Sequence, residues 1–394
     1  MASIIRRSKS SWTVVVSLGR GPDGKKRQQW VSVKGTKREA QRQAAELELK
    51  IAQGGYTKPS NMTVGQFLQQ WLRDYAYTNV RARTLLGYQA IVERRLIPDL
   101  GYIPLAQLQA SHLQGFYAQL LKNGRRDGKG GLSARTVQHH HRVISEALGH
   151  AVKWGLVGRN VALAVDPPKP KQKEMRAMGT EEVHRLLKAA EGTIYYPAIH
   201  LALFTGLRRS ELLGLRWQDI DLNMATLSVS RAYQRLPGGR DVFEPPKSAK
   251  SRRQVALPPT AVLSLKAHLE RQQTNAALLG GALSHDTRVF TWEDGQPILP
   301  LTFSHAFRRI ARRAGLEGVR LHDSRHTHAS LMLAQGVHPK IVQERLGHSS
   351  ISVTLDTYSH VAPNLQRQAA LKFDEGLKEP ATDTRQISKV GVAD

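Results

Sequence analysis

The feature that most constrains this chain is a short proline- and lysine-rich segment near its middle, Asp166 to Lys173. Three of its eight residues are prolines, and proline lacks the N–H that a helix interior or a central strand requires. Because neither element can run through the segment, we expect separate folded units on its two sides. Lys169 and Lys171 lie within it and are candidates to contact a phosphate backbone.

Composition and charge narrow the possible partners. The 394 residues, 40% of them hydrophobic, are enough for two or three domains with their own cores. The formal net charge of +26 indicates a polyanionic partner. No apolar run is long enough to span a membrane, and the pattern after Arg6-Arg7 lacks the length and cleavage site of a signal peptide. The absence of cysteine fits a reducing cytoplasm, so we expect a nucleic-acid partner there.

Residues 1–56 are predicted to form a small β-sheet with one helix. The expected elements are a strand at Trp12 to Leu18, a turn at Gly21 to Gly24, a second strand near Gln28 to Val33 and a helix to about Gln53. Thr36 and Glu39 have the spacing of a capping box that opens this helix. The segment holds twelve Lys and Arg against four Asp and Glu. The basic residues beside the turn are candidate DNA contacts: Lys25, Lys26 and Arg27. The alternative is a solvated basic appendage without a specific partner.

Helical periodicity begins at Thr63, where apolar residues recur at i, i+3, i+4 and i+7. Further helices are expected near Thr84 to Leu96, Ser111 to Leu121 and Ala134 to Trp154. The glycine-rich insert Asn123 to Gly131 carries Arg125 and Arg126, which we interpret as a basic loop that contacts DNA. Adjacent helical positions point in different directions, so we interpret His139 to His141 as surface or phosphate contacts and not as a metal site.

Four side chains suited to phosphate chemistry follow one another near the end of the chain: His322, Arg325, His348 and Tyr358. A tyrosine with a pKa of ~10 attacks poorly unless charge at its target is stabilised. Arginine matches two phosphate oxygens at once, and histidine exchanges protons near neutral pH or donates a hydrogen bond. The combination indicates a tyrosine that attacks a phosphodiester. The alternative is that the tyrosine belongs to a helix core.

A metal site is the competing interpretation of the histidines, because His322 and His326 share one helical face. No glutamate lies between them, as a metalloprotease helix requires, and the chain has no cysteine to complete a zinc set. Arg325, in the middle of the cluster, would also repel a dication. We therefore expect no bound metal.

Five ordered sequence blocks carry a resemblance to a known family. They are Thr205 to Trp217, Pro246 to Arg253, His322 to Thr327, Leu346 to Ser349 and Tyr358 to His360. In their order and in their residues they resemble the catalytic blocks of the tyrosine recombinase, or phage integrase, family. The blocks extend over roughly half of the chain, and five in the right order are not explained by chance.

The resemblance implies how the scissile phosphate is bound. Arg208 and Arg325 would clamp it, Glu211 would support the first arginine, and His348 would hydrogen-bond the phosphate. Ser324 stands where the family more often has leucine, and we expect at most a change in packing. Arg208 is also expected at a helix start, where backbone N–H groups favour an anion.

The resemblance also implies the proton transfers. Tyr358 would be the nucleophile, Lys247 the general acid for the leaving 5′ oxygen, and His322 an aid to proton transfer. A lysine beside two arginines is expected to have a lowered pKa. Lys250 is the alternative to Lys247, which the Pro-Lys-Ser context favours.

The fold class that follows is multidomain α+β. We expect a small β-sheet-plus-helix N-terminal domain at residues 1–56, which resembles an arm-type DNA-binding domain, and an all-α core-binding bundle at residues 62–166. A mainly α catalytic domain with a small β-sheet should follow at residues 175–378, and a disordered tail at residues 379–394. Within the catalytic domain, Thr180 should cap a helix to Ala190. The other expected elements are strands at Ala225 to Ser230 and Arg253 to Leu257 around Lys247, a helix at Leu301 to Ala314 and a C-terminal helix at Asn364 to Leu377 that docks on a neighbouring protomer.

The resemblance implies an integrase of a phage or integrative element that acts in a bacterial cytoplasm. Its partners would be double-stranded DNA attachment sites of core and arm type, in a homotetramer on DNA, with an accessory DNA-bending or excision protein as a further candidate. No cofactor is expected, because the covalent intermediate retains the bond energy and cationic side chains replace a metal. The alternatives are a DNA-relaxing enzyme of the type IB topoisomerase kind and a non-catalytic DNA-binding regulator.

Overall fold

The computed structural model of the protein describes residues 2–20, 26–52, 61–171, 175–245, 252–358, 370, 371, 373–375 and 377. Contacts divide the chain into two compact units, Met1–Gln172 and Lys173–Asp394. The division falls within the proline- and lysine-rich segment, as expected from the way proline interrupts regular structure. Among the described residues, no helix combines the length and the apolar character needed to cross a bilayer.

The first unit begins with a three-stranded antiparallel sheet and a helix that packs on it. The strands are β1 Ser3–Ser8, β2 Ser11–Arg20 and β3 Lys26–Lys34, in the order β1-β2-β3, and the helix is α1 Lys37–Ala52. Val14, Val16 and Val33 from the sheet pack against Ala40 and Ala44 from α1 to form a small separate core. The predicted sheet-plus-helix arrangement of this segment is therefore present.

The capping box is confirmed, and the prediction of two strands is incomplete. The Thr36 N–H donates to Glu39 Oε2 at 2.7 Å, and the Glu39 N–H donates to Thr36 Oγ1 at 3.3 Å. Strand β1 is exposed at nearly every position, with only Ile4 half-buried. Its sequence, Ser-Ile-Ile-Arg-Arg-Ser, also lacks the alternation of apolar and polar residues on which the prediction of a strand depends. The predicted turn at Gly21 to Gly24 lies outside the described residues.

A helical bundle follows within the same unit. Its helices are α2 Val64–Trp71, α3 Tyr77–Asn79, α4 Ala82–Ile91, α5 Ile97–Leu100, α6 Ala110–Asn123 and α7 Ala134–Lys153, with π-helical turns at Leu72–Ala76 and Val92–Leu96 and 3-10 turns at Leu105–Gln107 and Val161–Ala164. The predicted apolar stripe is confirmed, because Val64, Phe67, Leu68 and Trp71 are all fully buried. Thr63 caps α2 by accepting a hydrogen bond from the Gln66 N–H.

The interpretation of the histidine triplet as surface residues holds only for His139, which is exposed. His140 is 5% exposed and its Nδ1 is 2.7 Å from the Thr136 carbonyl oxygen. His141 is half-buried and its Nδ1 is 2.9 Å from the Tyr117 hydroxyl. Successive positions of α7 do point in different directions, but two of them point into the bundle.

The second unit is built around one large apolar core. Its helices are α8 Thr180–Ala190, α9 Tyr196–Thr205, α10 Arg209–Leu212, α11 Pro259–Leu278, α12 Pro300–Arg313, α13 Leu321–Ala334, α14 Pro339–Leu346 and α15 Ile351–Tyr358, and 3-10 turns lie at Trp217–Asp219 and Pro237–Gly239. Its strands are β4 Ile220–Asp221, β5 Thr226–Val229, β6 Ala232–Arg235, β7 Asp241–Glu244 and β8 Arg253–Ala256. Strands β4, β5 and β8 form one antiparallel sheet in that order, and β6 pairs with β7.

The predicted helix at Leu301 to Ala314 is confirmed as α12. Phe303, Phe307 and Ile310 are buried in the core. The four arginines on the opposite side are exposed: Arg308, Arg309, Arg312 and Arg313. Strands β5 and β8 confirm the predicted strands on either side of the lysine segment.

Other expectations for this unit need correction. Thr180 is the first residue of α8 and not its cap, because it is the Gly179 N–H that donates to Glu182 Oε2, at 3.1 Å. The β6–β7 hairpin and α11 were not predicted. Lys247 and Lys250, between β7 and β8, lie outside the described residues. Of the predicted helix at Asn364 to Leu377, only helical residues 370, 371, 373–375 and 377 are described, and the tail 379–394 lies outside.

Candidate active site

The first part of the site is the turn after α9. Gly206 ends this helix in the left-handed region, with φ 65°, and a Cβ at that position would lie 2.6 Å from Leu346 Cδ2. Arg208 follows immediately before α10, and its Nη1 donates to Glu211 Oε1 at 2.7 Å. Arg208 lies at the expected helix start, and the anion that its N–H receives is the protein's own carboxylate, because this N–H donates to Glu211 Oε2 at 3.0 Å.

Glu211 is a buried carboxylate shared by two arginines. Its side chain is 4% exposed, and its Oε2 also accepts from Arg253 Nη2 at 3.0 Å. Burial alone would raise the pKa of Glu211, but Arg253 and then Arg208 outweigh that effect and keep the pKa below its ordinary value. The carboxylate is therefore ionised at neutral pH and offsets part of the positive charge gathered around it.

Arg325 lies on α13 and is only 3% exposed. Its Nη1 donates to the Gly206 carbonyl oxygen at 2.8 Å, and its Nη2 donates to the Leu346 carbonyl oxygen at 2.7 Å. These carbonyls lie at the C-terminal ends of α9 and α14, where the helix dipole is negative and favours a cation. The guanidinium group is thus held between two helix ends.

His348 follows α14, which ends at Gly347 in the left-handed region with φ 66°. Its Nδ1 is 2.9 Å from the hydroxyl of Thr354, a fully buried residue of α15. Burial, and then the charges of Arg325 and Arg208, lower the pKa of His348 to about 4. The imidazole is therefore neutral at pH 7 and can act as a hydrogen-bond donor through Nε2 when Nδ1 accepts from the threonine.

His322 and His326 are neighbours on α13, with ring centroids 4.8 Å apart in an edge-to-face arrangement. His322 lies at the surface, but partial desolvation and the charge of Arg325 lower its pKa. Burial, and then His322, lower the pKa of His326 to about 4. In the part of the chain that the structure describes, no group of three or more His, Cys, Asp or Glu could hold a metal ion.

A pocket of about 370 Å³ opens beside Arg208 and His322. It is lined by Leu207, Arg208, Arg209, Ser210, Ser304, Arg308, Arg320, Leu321 and His322. Its walls therefore include four arginines, which suits an anionic ligand. Arg320 is paired with Asp323 at 2.9 Å, and Arg209 donates to Ser304 Oγ at 2.7 Å, so part of this surface is held in place by the protein itself.

The structure brings together Arg208, Glu211, His322, Arg325 and His348. Tyr358 is the last residue of α15, the helix that Thr354 connects to His348. Ser324 is buried and its hydroxyl donates to the Leu321 carbonyl oxygen at 2.6 Å, which agrees with a role in packing.

The candidate DNA contacts are spread over the first unit and the linking segment. Lys26 in β3, the loop residues Arg125 and Arg126, and Lys169 and Lys171 are all exposed. The Nε and Nη2 atoms of Arg125 both donate to the carboxylate of Asp127, at 3.0 and 2.5 Å, which offsets its charge. Lys25 lies outside the described residues, and Arg27 is described only as a backbone position of β3.

Sequence reasoning missed two residues of the site, Arg253 and Thr354. Arg253 has a buried side chain that contacts Glu211. It alternates with Val255 and Leu257, whose side chains are buried, so its place on the inward face of β8 was the available signal. Thr354 had no comparable signal.

Comparison with known proteins extends these observations. The sequence model of the Phage integrase family matches residues 176–364, and that of the phage integrase N-terminal SAM-like domain matches residues 63–121. A "Tyrosine recombinase XerC-like" protein of Caldanaerobacter subterraneus subsp. tengcongensis is 28% identical over 383 residues, 93% of this chain and 96% of that protein. The ICEBs1 integrase of Bacillus subtilis is 31% identical over 249 residues, 63% of this chain and 67% of that protein.

Solved structures share the fold. The Tn1549 transposon integrase in complex with a circular intermediate DNA has a TM-score of 0.67 at 22% identity, covering 79% of this chain and 99% of that chain. A lambda integrase dimer bound to a COC′ core site has a TM-score of 0.55 at 19% identity, covering 97% of each chain. The multidomain α+β fold class is confirmed.

The site and the comparisons together define a class of enzyme that breaks and rejoins DNA strands at specific sites. The chain belongs to the phage integrase family of tyrosine recombinases. The family resemblance of its sequence blocks is thereby confirmed.

Proposed function

We propose that Tyr358 is the nucleophile of this recombinase and that Arg208, Arg325 and His348 stabilise the phosphate that it attacks. The observation that carries the proposal is the anchoring of both arginines on consecutive carbonyls. Arg325 Nη2 donates to Leu346 O at 2.7 Å, and Arg208 Nη2 donates to Gly347 O at 3.4 Å. Two guanidinium groups held side by side can bind the non-bridging oxygens of one phosphodiester.

In the proposed cleavage step, the Tyr358 oxygen forms a bond to the scissile phosphorus while the bond to the 5′ oxygen breaks. His322 is neutral at pH 7 because its pKa is lowered, so it can accept the phenolic proton. Lys247 donates a proton to the leaving oxygen, which becomes a free 5′-hydroxyl. The 3′ end stays attached to the protein as a phosphotyrosine ester.

Rejoining is the reverse reaction with a different partner. The 5′-hydroxyl of the second duplex attacks the phosphotyrosine and returns a proton to Lys247. The bond between phosphorus and the Tyr358 oxygen breaks, and His322 returns the phenolic proton to that oxygen. One phosphoester bond forms for each one that breaks, so the reaction needs no ATP. Positive charge from arginine and lysine stabilises the transition state in both directions, and we propose that no metal or other cofactor takes part.

We further propose that the partners are double-stranded DNA attachment sites of two kinds. Residues 62–166 and 175–378 would hold core-type sites, and the basic residues 1–56 would hold arm-type sites. A lambda integrase tetramer bound to a Holliday junction has a TM-score of 0.55 with this chain at 20% identity. A homotetramer on DNA, with an accessory DNA-bending or excision protein, is the assembly that we propose in the bacterial cytoplasm.

Replacing Tyr358 with phenylalanine tests the proposed nucleophile. The substitution removes only the hydroxyl, so binding to a nicked suicide substrate should be unchanged while no covalent protein–DNA adduct forms. Denaturing electrophoresis measures the adduct, and a mobility shift measures binding. A covalent adduct formed by the phenylalanine variant would show that another group attacks the phosphate.

A supercoiled plasmid that carries either one or two recognition sites distinguishes recombination from relaxation. A recombinase should exchange strands between two paired sites, whereas a type IB topoisomerase would relax supercoils without a second site. A non-catalytic regulator would bind the DNA and form no adduct. Relaxation that is independent of the recognition sequence and of site pairing would favour the topoisomerase.

A further inference from the structure

A third arginine lies behind the proposed phosphate clamp. Arg253, the first residue of β8, has a side chain only 6% exposed. Its Nη2 donates to Glu211 Oε2 at 3.0 Å, and its Nε donates to the Arg345 carbonyl oxygen at 2.6 Å. One guanidinium group thus connects the carboxylate that supports Arg208 to the backbone that precedes His348.

The backbone at the end of α14 is where these contacts meet. Four consecutive carbonyls each accept a hydrogen bond from a side chain. The pairs are Arg345 O with Arg253, Leu346 O with Arg325, Gly347 O with Arg208, and His348 O with Gln343. The last carbonyls of a helix lack partners within the helix, so they are natural acceptors for cationic donors. This turn therefore sets the spacing of the arginines that bind to it.

Arg253 supports both Glu211 and the turn at the end of α14. Glu211 accepts from Arg208 through Oε1 and from Arg253 through Oε2, so the second contact fixes the direction in which the carboxylate faces the first arginine. At the other end, a Cβ added to Gly347 would lie 3.0 Å from Arg253 Nη1, which shows how closely the guanidinium packs against the turn.

We propose that Arg253 is a positioning residue for DNA cleavage, which aligns Arg208 through Glu211 and through the turn at the end of α14. This inference rests on the proposed function of Arg208 as a phosphate ligand. Arg253 itself does not bind the substrate in this proposal. Its buried side chain acts by holding the groups that do.

The test is a double-mutant cycle on single-turnover cleavage of a suicide substrate. Arg253→Met should slow cleavage by about 10–100-fold, because misplacement of a catalytic group by an ångström costs rates of this order. DNA affinity should change little. In an Arg208→Ala background, Arg253→Met should have almost no further effect, because the group that it aligns is gone. Equal effects in the two backgrounds would overturn the proposal.

Arg231→Met is the matched control. Arg231 is a partly buried arginine paired with the buried carboxylate of Asp219 in the same unit. Its loss should cost stability comparable to that of the Arg253 variant, measured by thermal unfolding, while cleavage stays within about twofold of wild type. Similar losses of cleavage in the two variants would mean that Arg253 contributes only to folding.

Arg253→Lys covers the case in which the methionine variant does not fold. Lysine keeps the charge near Glu211 but lacks the planar group that contacts two acceptors, so we expect an intermediate rate. A wild-type rate for this variant would overturn the proposal. The nucleophile is tested separately from Arg253. An adduct formed by Tyr358→Phe would refute the proposed function, whereas the role of Arg253 is judged from cleavage rates in the double-mutant cycle.

Discussion

Replacing Thr354 with valine should slow DNA cleavage by about 5–30-fold. The Thr354 side chain is fully buried, and its hydroxyl lies 2.9 Å from His348 Nδ1. Valine has nearly the same shape, so the change removes one hydrogen bond and leaves a ring nitrogen without its partner. Leaving such a group unsatisfied costs about 1–3 kcal/mol, and each 1.36 kcal/mol corresponds to tenfold in rate. We expect the lower part of that range, because His348 is half-buried and water can replace part of the contact.

The hydroxyl matters for two reasons. We expect it to donate to Nδ1 and so to direct the His348 proton to Nε2, the nitrogen that we propose donates to the phosphate. It also connects α15, which ends at Tyr358, to the rest of the site. Single-turnover cleavage of a suicide substrate under saturating protein measures the effect. Ser352→Ala, at an exposed position of the same helix, is the control and should behave as wild type. A Thr354→Val rate within about twofold of that control would refute the reasoning.

Two further predictions concern pH and salt. Three histidines have a pKa of about 4 in the folded protein, well below the ordinary value: His326, His328 and His348. The unfolded chain therefore binds more protons between about pH 4 and 6.5, so folding stability should fall as pH is lowered through that range, by at most about 1.4 kcal/mol per pH unit for each buried histidine. Urea unfolding at several pH values measures this, and an unchanged midpoint would contradict the depressed pKa values. Deleting residues 1–56 should flatten the salt dependence of DNA binding, by roughly 0.9 in log–log slope per lost phosphate contact. The change should occur on DNA that includes arm sites and not on isolated core sites. An equal change on both DNAs would indicate a generic basic tail.

The parts of the fold with strong local patterns were predictable from the sequence. The α12 helix places apolar residues at helical spacing, and Phe303, Phe307 and Ile310 are buried as predicted. Helix α11 was missed because it shows little contrast between faces; Ala261, Leu265 and His268 are its buried residues. Its other positions therefore carried little periodic signal.

The site was predictable to the extent that its residues fall in recognisable blocks. Those blocks identified Arg208, Glu211 and Arg325 as a group. They could not identify Arg253 as a partner of Glu211, because the two residues are 42 positions apart and meet only through the fold. Contacts between side chains and main-chain carbonyls are also invisible in a sequence, since every residue has a carbonyl group.

The way Arg325 is held has a consequence for how this site tolerates change. Its two supporting oxygens belong to the backbone of Gly206 and Leu346, so substitutions that alter only a side chain leave both acceptors in place. The substitutions that should harm the site are instead those at positions where the backbone conformation depends on the residue type. Gly206 and Gly347 both adopt left-handed φ angles beside close neighbours. A library of variants selected for recombination should therefore be permissive at Leu346 toward residues of similar size and restrictive at the two glycines, although neither glycine has a side chain that could touch DNA.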